Sequence, residues 1–253
     1  MKKTVLSTLL FLIFSCGSDS GSGGRSGGLR SRPFRILTEN EKKVLATTTI
    51  YYIENFSESD INRCADALKV NMLDRQGRLL VRVCQKVYDS CSMEGTCVVS
   101  IGHQMQMLNF DGKLNGILRF KIITNSECKY GHGAGTDHKK SYKNMCVDPF
   151  YSVAADLKIY SLGDVIYFPA VVGLLLPSGE IHDGYFIVRD TGGSIKGHGR
   201  FDFFTGFLTF RNLNNPFVKI KFNDSQTFPE YFLTDDNQAE LVRKTRNFPL
   251  LNR

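Results

Sequence analysis

Alternation of apolar and polar residues runs through most of the chain. Thr47 to Phe56, TTTIYYIENF, mixes β-branched, aromatic and polar residues and predicts a strand. Arg78 to Cys84, RLLVRVC, predicts another after the turn DRQG. Cys97 to Gly102 and Leu118 to Thr124 predict two more, with NFDGK (Asn109 to Lys113) as a turn between them. Residues 58–70 fit a short helix or an irregular strand equally well. Residues 125–147 are polar, with GHGAGTDHKK at their centre, and predict a long loop.

From Tyr151 the texture becomes more apolar. SVAADLKIYSLGDVIYFPAVVGLLL is broken by a turn at Gly163-Asp164, and Leu174 to Leu176 suit a barrel or groove wall. Tyr185 to Arg189, Phe207 to Phe210 and the alternating Val218 to Phe222 extend the β pattern. Asp235 to Lys244 predicts a helix, acidic at its start and basic at its end, as the helix dipole favours. Many short strands, regular turns and few helices predict a mainly β fold, a barrel or a sandwich, with no internal repeat.

The amino-terminal stretch has a different pattern. MKKTVLSTLLFLIFSC places two lysines before an apolar run that ends at Ser15 and Cys16, the layout of a bacterial secretory signal. Ile13 to Cys16 resembles a lipoprotein box, with Phe14 bulkier than such a box usually holds. The expectation is lipidation of Cys16; ordinary cleavage and a soluble periplasmic product is the alternative. Residues 17–33 are Gly- and Ser-rich and predict a flexible tether. The expected division is therefore 1–16 signal and lipobox, 17–44 tether and lead-in, 45–146 a β-rich part, 147–225 a barrel domain, and 226–253 a closing segment with a short helix.

Composition narrows the partners. Of 253 residues 42% are hydrophobic, enough for a packed core, and the net charge of +7 favours polyanionic partners. No basic run interleaved with aromatics occurs, which argues against nucleic acid. Cys64, Cys84, Cys91, Cys97, Cys128 and Cys146 are even in number and sit behind an export signal, so disulfides are expected, with fifteen pairings open. No CxxC pair occurs, which argues against zinc. His132, Asp137 and His138 lack a standard ligand spacing and are read as polar loop, so no metal or cofactor is expected.

The segment DTGGSIKGHGRFD, Asp190 to Asp202, carries the candidate chemistry. It lacks the GxxxxGK order of a phosphate loop, and the strand-like RFDFFTGFLTF follows it where a dinucleotide site would need a helix. Its glycines allow tight turns, and Asp190 alone could simply close an Asx turn. With the upstream VAADLKIYSLGDVIYFPA, however, the segment resembles the three-aspartate (3D) domain. That is the carboxy-terminal barrel of membrane-bound lytic murein transglycosylase A and related wall-cleaving proteins. Asp156, Leu162, Gly163 and Pro169 fit its first segment; Asp190, Gly192, Ile195, Gly197, Arg200, Asp202, Phe203 and Gly206 fit its second. The link between them carries an insert, VGLLLPSGEIHDG, and the amino-terminal half is much shorter than those enzymes' accessory domain.

The resemblance implies a double-psi-type six-stranded β-barrel with a small disulfide-containing part before it. It implies cleavage between N-acetylmuramic acid and N-acetylglucosamine in peptidoglycan, without water, to a 1,6-anhydro product. Asp202 falls on the catalytic position as general acid and then base. Asp190 and Asp156 are expected to raise its pKa by like-charge proximity and to position it. Thr191 and Gly192 are expected to offer backbone N–H groups to the sugar, Lys196 and Arg200 to face glycan or stem-peptide carboxylates, and His198 to touch substrate or solvent. The protein would lie on the periplasmic side of a bacterial envelope, anchored through Cys16. The competing readings are a non-catalytic, expansin-like glycan-binding module and a structural envelope lipoprotein.

Overall fold

The computed structural model describes residues 44–101, 104–123, 128–134, 145–224 and 226–248. The signal, the tether, Cys16, Asp137 and His138 lie outside the described residues. In chain order the elements are β1 (Val44–Leu45), β2 (Thr47–Tyr51), β3 (Glu54–Phe56), α1 (Glu58–Ile61), β4 (Lys69–Leu73), β5 (Leu79–Cys84), α2 (Gln85–Glu94), β6 (Thr96–Ile101), β7 (Gln104–Leu114) and β8 (Ile117–Ile123). They continue with β9 (Ser152–Ala154), β10 (Val165–Tyr167), β11 (Tyr185–Asp190), β12 (Arg200–Phe204), α3 (Pro216–Lys219), β13 (Glu230–Leu233) and α4 (Asp236–Thr245).

The strands form two sheets. The larger runs β1-β13-β10-β11-β9-β12-β2 and the smaller runs β3-β6-β7-β8-β4-β5. The larger sheet thus draws β1 and β2 from before residue 147 and β13 from after residue 225, so it crosses the domain limits expected from sequence. Its two end strands are separated along the chain only by buried Ala46, whose N–H donates to Pro229 O at 2.9 Å while Thr47 N–H donates to Gly199 O at 2.7 Å. The sheet therefore curls until its ends meet at one residue.

Alternation sorts the two faces. Phe201 and Phe203 of β12, Phe186 and Val188 of β11 and Val153 of β9 point into the curl. Phe168 lies among them, with ring centroids 5.1–5.9 Å from Phe186, Phe201, Phe203, Phe222 and Tyr231. Each such ring, fully buried, contributes roughly 1.5–3 kcal/mol. Leu174 and Leu176 pack on this core. Outside the curl, α4 lays Ala239 and Val242 against Val165 and Ile187. The side chain of Asp235 caps that helix by accepting Gln238 N–H at 2.9 Å.

The smaller sheet packs Met72, Val83, Val99, Leu108 and Phe120 against Val87 and Cys91 of α2. The disulfides are Cys64–Cys84, Cys91–Cys97 and Cys128–Cys146. Several local expectations change. The turn is not at NFDGK: β7 runs through it with an irregularity between Phe110 and Lys113, and the chain reverses at Asn115-Gly116, both at positive φ, the pair a two-residue hairpin prefers. Val218 to Phe222 is not a strand, because Asn215 accepts Phe217 N–H and Pro216 starts a helical turn, and that start outweighs the alternation. Phe207 to Phe210 forms turns. Residues 58–70 hold both a capped helical turn and the start of β4.

Candidate active site

β9 is three residues long, buried throughout, and lies between β11 and β12. Its registers align one row across four strands: Asp190 (β11) and Asp202 (β12) both pair with Ala154, and Asp202 pairs on its far side with Thr49 (β2). The neighbouring row, Val188, Val153, Phe203 and Ile50, faces the core, so the aspartate row faces out. At a strand spacing of about 4.8 Å the two aspartate Cα atoms lie about 10 Å apart, with Ala154 on the strand between them.

A bulge makes this row. Val188 pairs with Val153, but the next pairing is Asp190 with Ala154, so Arg189 is the extra residue. Without the bulge Arg189 would stand beside Asp202. Instead it is buried, donating to the carbonyls of Cys146 and Arg246 and lying 5.2 Å from the Phe248 ring.

Both aspartates are half-buried. Burial raises the Asp202 pKa, against the lowering effects of the Thr49 hydroxyl, which donates to Oδ1 at 2.5 Å, and of Arg200. Burial also raises Asp190 to about 7; Thr191 N–H, donating at 2.8 Å, and the phenol of Tyr51 lower it, and the charge of Asp202 raises it. The Tyr51 hydroxyl is itself buried, and burial, followed by the charges of Asp190 and Asp202, holds its pKa well above the ordinary phenol range. Desolvation is therefore the leading cause at Asp202, where like-charge proximity was expected.

Asp156 stands outside the row. It is buried, and its oxygens accept Gly197 N–H at 3.0 Å and Lys158 N–H at 3.1 Å, which lower its pKa. It ties the turn after β9 to the 190–200 loop. Lys196 interacts with Asp156 and donates to Gly192 O at 3.2 Å, which braces the loop, and Arg200 donates to the carbonyl of its β12 neighbour Phe201 at 2.7 Å. Gly199, at φ 68, donates to the Tyr160 hydroxyl, and a Cβ there would stand 2.7 Å from Leu45 O. Thr191 is exposed, and His198 is exposed.

A cleft of about 210 Å³ adjoins the Asp190 end of the row; Asp202, Thr49 and Ala154 do not line it. It is lined by Asp190, Thr191, Gly192 and Tyr51 together with Glu94, the last residue of α2, and Thr96, the first of β6. Among the described residues, no group of three or more His, Cys, Asp and Glu is arranged to hold a metal. Thr49, Tyr51 and Glu94 were not singled out from sequence. The first two sit at i and i+2 on the polar face of TTTIYY, a pattern that marks their shared side; nothing local marks Glu94.

Residues 151–209 match the family model of the 3D domain. The chain carries a 3D domain. The matched segment contains Asp156, Asp190 and Asp202, and four strands of the larger sheet, β9 to β12. No curated protein matches the chain in sequence. Among solved structures the chain is similar to E. coli MltA with bound chitohexaose, at 11% identity and a TM-score of 0.45 over 75% of this chain and 71% of that one. It is also similar to the membrane-bound lytic murein transglycosylase of Agrobacterium tumefaciens (12%, 0.43, 77% and 75%) and to the lytic transglycosylase LtgG of Burkholderia pseudomallei (12%, 0.36, 76% and 73%). The 3D assignment rests on the matched segment alone.

Proposed function

We propose that this 3D-domain protein is a lytic transglycosylase that cleaves the bond between N-acetylmuramic acid and N-acetylglucosamine in peptidoglycan, with Asp202 as its single general acid and base. The observation that carries the reading is a half-buried Asp202, its pKa raised by desolvation, on the outer face of a 3D-domain sheet. A carboxyl whose proton affinity is raised can give its proton to the leaving glycosidic oxygen as the C1–O bond breaks. The sugar's own C6 hydroxyl then bonds to C1, and its proton returns to Asp202. No water enters, and the product is a 1,6-anhydro end.

Intramolecular attack is worth roughly 7–11 kcal/mol of effective concentration, so one acid suffices where hydrolytic glycosidases generally use two. Thr49 orients the Asp202 carboxyl in this scheme, while burial raises its proton affinity against the lowering effects of Thr49 and Arg200. Asp156 keeps the loop in place. We read residues 44–51 as one bent strand, which makes the larger sheet a six-stranded barrel of double-psi type; amide exchange that protected 44–45 and 47–51 independently would contradict this. Three disulfides fit an oxidising envelope compartment, with a lipid on Cys16 holding the chain to a membrane.

The test is mass spectrometry of soluble products from purified peptidoglycan. Anhydro-ended fragments, lost in Asp202→Asn, are the expected result. Products with reducing ends would mean a hydrolase, and binding without release would mean a glycan-binding module.

A further inference from the structure

One wall of the cleft beside Asp190 is a short loop closed on itself. The Cys91–Cys97 disulfide encloses residues 92–96, and all five line the cleft. Glu94 is the last residue of α2, and Gly95, at φ 75, ends the helix. A carboxylate at a helix C-terminus meets the negative end of the dipole, so this acid does not serve the helix it ends. Its Oε2 accepts Tyr52 N–H at 3.2 Å, one residue past Tyr51 and three past Thr49. Among the described residues no cation pairs with Glu94, and nothing hydrogen-bonds its Oε1. The loop thus joins the strand that carries Thr49 and Tyr51, and brings a half-buried carboxyl to the cleft within electrostatic reach of Asp202.

We propose that Glu94 is a substrate-contacting residue of this site: presented by the disulfide-closed loop, it hydrogen-bonds a hydroxyl or acetamido group of the N-acetylated glycan and holds the saccharide in the cleft at the Asp190 end of the row that Asp202 shares. The inference rests on the glycan-cleaving reading above and adds the smaller sheet's contribution to it. Burial, reinforced by the charges of Asp202 and Glu54 and opposed by Tyr52 N–H, lifts Glu94 to about 7. Below that pH it carries a proton and can donate to an acetamido carbonyl; above it, it only accepts. The other titratable groups around it are Asp202 on β12, Asp190 on β11, Glu54 on β3, and Tyr51, Tyr52 and His132 beside the cleft. Asp190 is lifted into the same range, so Glu94 accounts for part of any pH dependence.

The experiment is calorimetric binding of a soluble β-1,4-linked hexamer of N-acetylglucosamine to the full chain, in an Asp202→Asn background, at pH 6 and pH 8. Glu94→Ala should weaken binding about tenfold at pH 6, the loss of one hydrogen bond to the ligand. Glu94→Gln, which keeps a donor and an acceptor, should bind within about twofold of its parent at pH 6. It should also lose part of the parent's fall in affinity between pH 6 and pH 8, a change that a purely structural hydrogen bond to Tyr52 N–H would not produce. Glu94→Ala binding within twofold of its parent, or Glu94→Gln with the parent's full pH dependence, overturns the assignment of Glu94. A parent that binds no N-acetylated glycan removes instead the reading on which the assignment rests, and a cleaving Asp202→Asn enzyme removes Asp202 as the acid while leaving the Glu94 result intact.

Discussion

Replacing Asp190 by Asn should preserve the fold and change how its stability responds to pH. Asn keeps an oxygen for Thr191 N–H but cannot ionise. Asp190 is raised from an ordinary 3.8 to about 7, chiefly by burial, so the folded state holds this proton more tightly than the unfolded chain does. The stabilisation is complete below the unfolded value and is lost as pH rises through 7. A difference of 7 minus 3.8, at 1.36 kcal/mol per unit, sets a ceiling of about 4 kcal/mol. Partial exposure of the carboxyl brings the expectation to about 2 kcal/mol.

Urea unfolding of both proteins, followed by circular dichroism from pH 4 to pH 8, reads this directly. The wild type should lose about 2 kcal/mol more than Asp190→Asn across that range, and the variant should be the more stable protein at pH 8. Glu94 and Asp202, also raised, bend both curves in the same direction and remain in the variant. Asp156, lowered, acts only as pH falls below the ordinary carboxylate range. Parallel curves for the two proteins would refute the claim that desolvation holds the proton on Asp190.

Two further outcomes are expected. Gly199→Ala places a Cβ 2.7 Å from Leu45 O at φ 68, so thermal unfolding should show a loss of about 2–4 kcal/mol; a loss under about 0.5 kcal/mol would mean the end strands are not joined this tightly. Cys16→Ser should abolish incorporation of labelled palmitate into the protein expressed in bacteria, and undiminished labelling would exclude this cysteine as the anchor.

The parts of the fold that follow local rules were readable from the chain. The helix at 236–245 carries its own cap and charges, and the strands at 79–84 and 117–123 carry their alternation. The turn was misplaced because Asp111-Gly112 is as good a reversal signal as Asn115-Gly116, and only pairing with β6 and β8 decides between them. At the site, the three aspartates stood out together, but their division of labour did not. The bulge that withdraws Arg189 and aligns Asp190 with Asp202 depends on β9, a strand too short to announce itself. Glu94 depends on a disulfide that is one of fifteen pairings, so its neighbours along the chain gave no clue to those across the cleft.

The junction at Ala46 has a consequence for how the molecule is assembled. Thr49 reaches its hydrogen-bond partner Asp202 across 153 positions of chain, and Val44 pairs with Tyr231. Contacts this distant carry a large closure entropy and form slowly. During vectorial synthesis, residues 44–51 emerge early and stay unpaired until β12 and β13 arrive. Until then Asp202 lacks Thr49, the neighbouring Tyr51 and the burial that lifts its proton affinity, so it behaves as an ordinary ionised carboxylate. The acid acquires its character only in the finished molecule, and a fragment cut to residues 151–209 would contain all three aspartates but neither Thr49 nor Tyr51.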